Sequence, residues 1–74
     1  MYDWELWYFD DEFNTWVLDK HFYGTHTDVC NLVHKLNRYY ENRHYEAERV
    51  VTETTTVETD SEIIETTRTW RERA

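Results

Sequence analysis

The first nine residues restrict the fold more than any other stretch. Tyr2, Trp4, Leu6 and Tyr8 alternate with Asp3, Glu5, Trp7 and Phe9. A period of two is the signature of a β-strand, because successive side chains leave a strand on opposite faces. In the second half of this segment both faces are apolar, as expected of a strand with neighbours on either side. A strand over 2–9 with this much aromatic surface must be completed by further strands and by a covering layer. Residues 16–23 supply the next strand, with Trp16, Leu18 and Phe22 assigned to one face. The polar run Asp10-Asp11-Glu12-Phe13-Asn14-Thr15 forms the turn between the two.

Gly24 closes this hairpin. Thr25 and Asp28 then form a capping box with Asp in place of Glu, while Thr27 competes as N-cap. Val29, Leu32, Val33, Leu36 and Tyr40 recur at helical spacing, with Tyr39 at the stripe's rim, so a helix is expected over 26–41 and an end near Asn42. Residues 45–57 and 62–70 are rich in Val, Ile and Thr, whose stiff β-branched side chains favour strands. Thr66, Thr67 and Thr69 argue against the alternative of a helix capped by Ser61. Residues 71–74 are expected to fray. The resulting fold is α+β: ββαββ in one domain over 1–74, with a four-stranded antiparallel sheet in the order 2-1-3-4 and one helix on one face. That order places the most apolar strand inside the sheet.

A chain of 74 residues buries a small core and normally needs a disulfide, a metal or a partner chain to hold it. A single cysteine, Cys30, makes no internal disulfide and fits a reducing cytoplasm. The 13 aromatic residues are the substitute, since they bury more area than other side chains. The net charge of −8 excludes binding to nucleic acid by phosphate neutralisation and disfavours anionic membranes. No apolar run is long enough to span a bilayer, and the acids of the first 19 residues are incompatible with a secretory leader.

Charge is segregated along the chain. Asp3, Glu5, Asp10, Asp11, Glu12 and Asp19 fall within residues 1–19, which carry no Lys or Arg. Glu53, Glu58, Asp60, Glu62 and Glu65 fall within residues 50–67, again without a base. The strand order makes these segments neighbours, so the eleven carboxylates are expected in one region of a domain about 25 Å across. Trp7 and Phe9, on the face opposite the helix, would be partly exposed beside them, as aromatic anchors of interfaces are. A solvated acidic surface without a partner is the plainer interpretation of the same charge runs.

Catalytic motifs are lacking. Cys30 with a nearby His has no third member and no oxyanion loop, the Asp10–Asp11 pair sits in a turn, and one glycine cannot build a phosphate loop. His26, Cys30 and His34 follow one helical stripe, with His21 near its start, which makes a zinc or small-ligand module one alternative. Half-buried Cys30 beside solvated histidines is the simpler account, and no cofactor or metal is expected.

A small, acidic, aromatic-rich chain with carboxylates massed on two segments resembles the phage-encoded inhibitors of DNA-acting proteins, anti-CRISPR proteins and other DNA mimics among them. The resemblance lies in surface character and in no motif. It implies a non-catalytic, cytoplasmic inhibitor or adaptor that occupies a basic, nucleic-acid-binding groove of a host protein. The expected contact residues are Asp3, Glu5, Trp7, Phe9, Asp10, Asp11, Glu12, Glu53, Glu58, Asp60, Glu62 and Glu65. The Arg-bearing tail and the nearly neutral middle segment depart from that family's character. A self-associating structural or designed domain, paired as a homodimer through the Trp7 face, is the other alternative.

Overall fold

A computed structural model describes residues 1–74. Strands β1 (Tyr2–Asp10) and β2 (Thr15–Gly24) form the first hairpin, helix α1 spans His26–Tyr39, and β3 (His44–Glu58) and β4 (Ile63–Arg73) form the second hairpin. The sheet is antiparallel throughout, in the order β2-β1-β3-β4. The α+β architecture and strand order follow from the sequence pattern. α1 lies on one face, and the opposite face carries no covering layer.

The helix begins as its cap residues require. Asp28 N donates to Thr25 Oγ1 at 3.1 Å, and Thr25 N donates to the Asp28 carboxylate at 3.3 Å. This reciprocal pair satisfies two backbone donors that the first turn would leave unpaired. α1 stops at Tyr39 rather than at residue 41, because Tyr40 is extended (φ −104°) and turns the chain toward β3. Tyr39 itself is 79% exposed, while Tyr40 packs against the Tyr45 ring. The one positive φ belongs to Asn14 (53°), in the β1–β2 turn, where a short polar side chain tolerates the left-handed region.

The core is small. Trp4, Leu6, Val29 and Ala47 form its buried centre, with Phe22, Leu32, Val33 and Leu36 packed around it. Trp4 is 1% exposed, and its indole N–H donates to Gly24 O at 3.3 Å, so no polar atom of this ring is stranded. A Cβ on Gly24 would lie 2.7 Å from the Phe22 ring, which explains a glycine at this buried position. Tyr45 closes the other end of the core. Its hydroxyl donates to Asp19 and accepts from Arg43 (3.3 and 3.1 Å), and the Arg43 guanidinium stacks on Tyr8 and Tyr40.

Three expectations are corrected. Trp16, Leu18 and Phe22 do not share a face. Leu6 pairs with Lys20 but Trp7 pairs with Leu18, so Asp19 is an extra residue on β2, a β-bulge. The bulge turns Phe22 to the helix side, opposite Trp4, and Trp16 and Leu18 to the open side, opposite Phe9 and Trp7. Trp16 and Leu18 are therefore not core but 40% exposed. Residues 71–73 do not fray: β4 runs to Arg73, and Ala74 N donates to Ala47 O at 3.0 Å.

The third correction concerns shape. β1 pairs with β3 only from Glu5–Glu48 to Phe9–His44, whereas β4 accompanies β3 out to the Glu58–Ile63 pair. From Arg49 to Glu58, β3 thus has no strand partner except β4, and the two project as a ribbon about 30 Å long. The molecule measures 60 × 27 × 14 Å, not about 25 Å across.

Candidate functional site: an open sheet face and an acidic ribbon

The face of the sheet away from α1 has two parts. At its aromatic end Trp7, Phe9, Trp16, Leu18 and His44 stand side by side, because they occupy matched positions on β1, β2 and β3. The Phe9 and Trp16 rings meet edge to face at 5.5 Å, and Trp16 lies 6.2 Å from the His44 ring. Trp7 and Phe9 are half-buried, as their position opposite the helix predicts. Next to them lies a charged row. Arg71 donates to Glu5 and, at 3.5 Å, to Glu48, and Arg73 Nε lies 3.5 and 3.7 Å from Glu46 and Glu48. Trp7, Trp16, Glu46, Glu48, Arg71 and Arg73 line a shallow groove of about 370 Å³. Trp7 Nε1 is buried beneath this surface without a hydrogen-bond partner.

Sequence reasoning missed four of these groove residues. Glu46 and Glu48 belong to the nearly neutral middle segment, and Arg71 and Arg73 to the tail expected to fray. The legible signal was their i, i+2 spacing, which puts like charges on one face of each strand and lets antiparallel pairing set them against each other. The Glu5 contact holds the Arg71 guanidinium above its ordinary pKa, with Glu48 adding to the effect. Across the sheet, Trp70 Nε1 and Arg49 both donate to Glu72, at 3.0 and 2.8 Å, and hold its carboxyl below the usual range. The Arg49 guanidinium also lies 3.8 Å above the Tyr2 ring. These contacts fasten the root of the ribbon to β1.

The acidic residues do not gather into one patch. Asp10, Asp11 and Glu12 lie in and beside the β1–β2 turn, where the Asp10 carboxylate accepts from Glu12 N. The ribbon leaves the sheet past the other end of β1, so its tip is at the opposite end of the 60 Å axis. Asp3 faces His21 at 3.8 Å, and Glu5 is neutralised by Arg71. Glu53, Glu58, Asp60, Glu62 and Glu65 are all exposed on the ribbon and its tip, and none lies within 4.0 Å of a basic group. Arg68, the base registered opposite Glu53, stacks on Trp70 instead, 5.0 Å from the ring centre.

The helical His and Cys stripe is only partly assembled. Cys30 Sγ lies 3.8 Å from the His26 ring, with no third ligand: the chain has no group of three His, Cys, Asp or Glu side chains placed to hold a metal ion. No helix is long and apolar enough to cross a membrane. Comparison with protein-family models, curated proteins and solved structures gives no match to this chain.

Proposed function

We propose that this chain is a non-catalytic binding protein, an inhibitor or adaptor, whose projecting ribbon carries carboxylates to a basic surface of a protein partner. The observation that supports this reading is the ribbon itself. It buries no core, yet it carries five unpaired acids and no base between residues 50 and 67. A hairpin without a covering layer is marginal in water, so its length is best explained by something that covers it. Unpaired carboxylates on a narrow arm attract a positively charged groove of the kind that otherwise holds nucleic acid. The resemblance to phage counter-defence proteins points the same way. Asp10, Asp11 and Glu12 form a second, separate acidic site, so the arm is the primary contact and the turn a secondary one.

Glu53, Glu58, Glu62 and Glu65 changed together to Gln, with Asp60→Asn, test this. Wild-type protein immobilised in a bacterial lysate is expected to retain basic, nucleic-acid-acting proteins that the neutralised variant does not. Raising salt from about 0.05 to about 0.5 M is expected to release them, since exposed charges are then screened within several ångströms. Equal retention by both proteins, or retention of acidic partners only, refutes the reading.

A further inference from the structure

We propose that two copies of this chain join edge to edge through β4, antiparallel about a two-fold axis at Thr69, into one continuous eight-stranded sheet. The backbone of β4 defines the bonding edge. Ala74 N donates to Ala47 O, so position 74 turns its polar groups toward β3. N–H and C=O groups alternate sides along an antiparallel strand, so the even positions of β4 face β3 and the odd positions face outward. Ile63, Glu65, Thr67, Thr69, Arg71 and Arg73 therefore present their backbone donors and acceptors at the rim of the sheet. The devices that usually blunt such an edge are sparse here: the chain has no Pro, and β4 has no Lys and no bulge against β3. Arg71 and Arg73 do carry charge, but they reach inward across the open face to Glu5, Glu46 and Glu48 and leave the backbone bare.

Charge selects a second copy as the occupant. The tip half of β4 and the turn before it carry Glu62 and Glu65, and the root half carries Arg68, Arg71 and Arg73. Antiparallel self-pairing sets the acidic half of one strand against the basic half of the other. A two-fold axis at Thr69 places Glu65 opposite Arg73 twice on the open face and Arg68 opposite Trp70 twice on the helix face, with no like charges opposed. An axis at Arg68 sets two guanidinium groups against each other, and an axis at Thr67 opposes no opposite charges. Such a two-fold contact is self-complementary, as closed dimers require. It also lays each ribbon against its partner's β4, which covers the part of the chain that has no core. Glu53, Glu58 and Asp60 stay outside the contact, so the dimer does not depend on the proposed function.

Sedimentation and two substitutions test the arrangement. Wild-type protein is expected at twice the 9.3 kDa mass of one chain. Thr67→Pro removes an outward N–H and leaves the β3–β4 ladder intact. It is expected to raise the dimer dissociation constant about 10- to 100-fold, two hydrogen bonds being lost per dimer. Thr69→Cys in a Cys30→Ser background is expected to cross-link under mild oxidation, because a residue on the axis faces itself at about 5.5 Å between Cα atoms. Thr67→Cys in that background is expected not to, its copy lying four residues away along the strand. A wild-type monomer at high micromolar concentration overturns the proposal. So does a dimer that Thr67→Pro leaves intact and that Thr69→Cys fails to link, which would shift the contact to the Trp7–Trp16 face. Should Thr67→Pro fail to fold, the two cysteine variants still decide.

Discussion

Trp4 concentrates the stability of this molecule in one side chain. It is the largest of the fully buried residues, and its ring spans the sheet between Phe22 on β2 and Arg49 on β3. Truncating a buried Trp costs about 3–5 kcal/mol. A domain of this length has only about 4–11 kcal/mol in total. Trp4→Ala is therefore expected to leave a large unfolded fraction at 25 °C, read as lost far-ultraviolet dichroism and a urea midpoint near zero. Tyr45 allows a gentler test. Burial, the dominant cause, raises its pKa above the ordinary phenol value, and the neighbouring Asp19 charge adds to this while Arg43 opposes it. The fold thus favours the neutral phenol. This stabilisation is complete below the unfolded pKa of about 10 and is lost as pH rises through the higher folded value. One of the six tyrosines should titrate late in the tyrosinate absorbance. Tyr45→Phe should remove that step and lower stability by about 1 kcal/mol.

Among the elements, the ribbon and the α1-covered sheet differ in what holds them. The sheet has the core; the ribbon has backbone pairing, small cross-strand contacts such as the Thr54–Thr67 hydroxyl pair at 3.5 Å, and its fastened root. Replacing residues 54–67 by Asn-Gly keeps the Glu53–Arg68 pair as the end of a tight hairpin. The shortened chain is expected to keep its thermal midpoint within a few degrees, measured by circular dichroism, while losing salt-sensitive partner binding. The element types were readable because local pattern determines them: period two in β1, the capping box and stripe in α1, β-branched residues in β3 and β4. The facing of β2 was not. A one-residue bulge reverses every side chain beyond it, and the bulge at Asp19 is set by cross-strand pairing and by the Tyr45–Asp19 hydrogen bond, not by β2 itself.

At the scale of the whole molecule the chain is far from a sphere. Its Cα radius of gyration is 17.3 Å, against about 11 Å for a compact chain of this length. Its accessible surface is 5875 Å², against about 5000 Å² for a compact protein of 9.3 kDa. Small-angle scattering of the Thr67→Pro chain should give a radius near 17 Å; a value near 11 Å would mean that the ribbon folds back. The extended shape separates the two acidic segments, although strand order makes β1 a neighbour of β3. Adjacency in order says nothing about offset along the strands, and here β3 continues well past the end of β1.

The sequence by itself determined the kinds of element, their order in the sheet, the helix cap and the half-exposure of Trp7 and Phe9. Each follows from a few residues acting on their neighbours or from one apolar face needing cover. Tertiary structure alone decided which face β2 shows, that Arg71 and Arg73 neutralise Glu5, Glu46 and Glu48, and that the remaining acids divide between two ends. Those outcomes depend on register and offset between strands, which arise from pairings more than twenty residues apart and leave little trace in the local pattern.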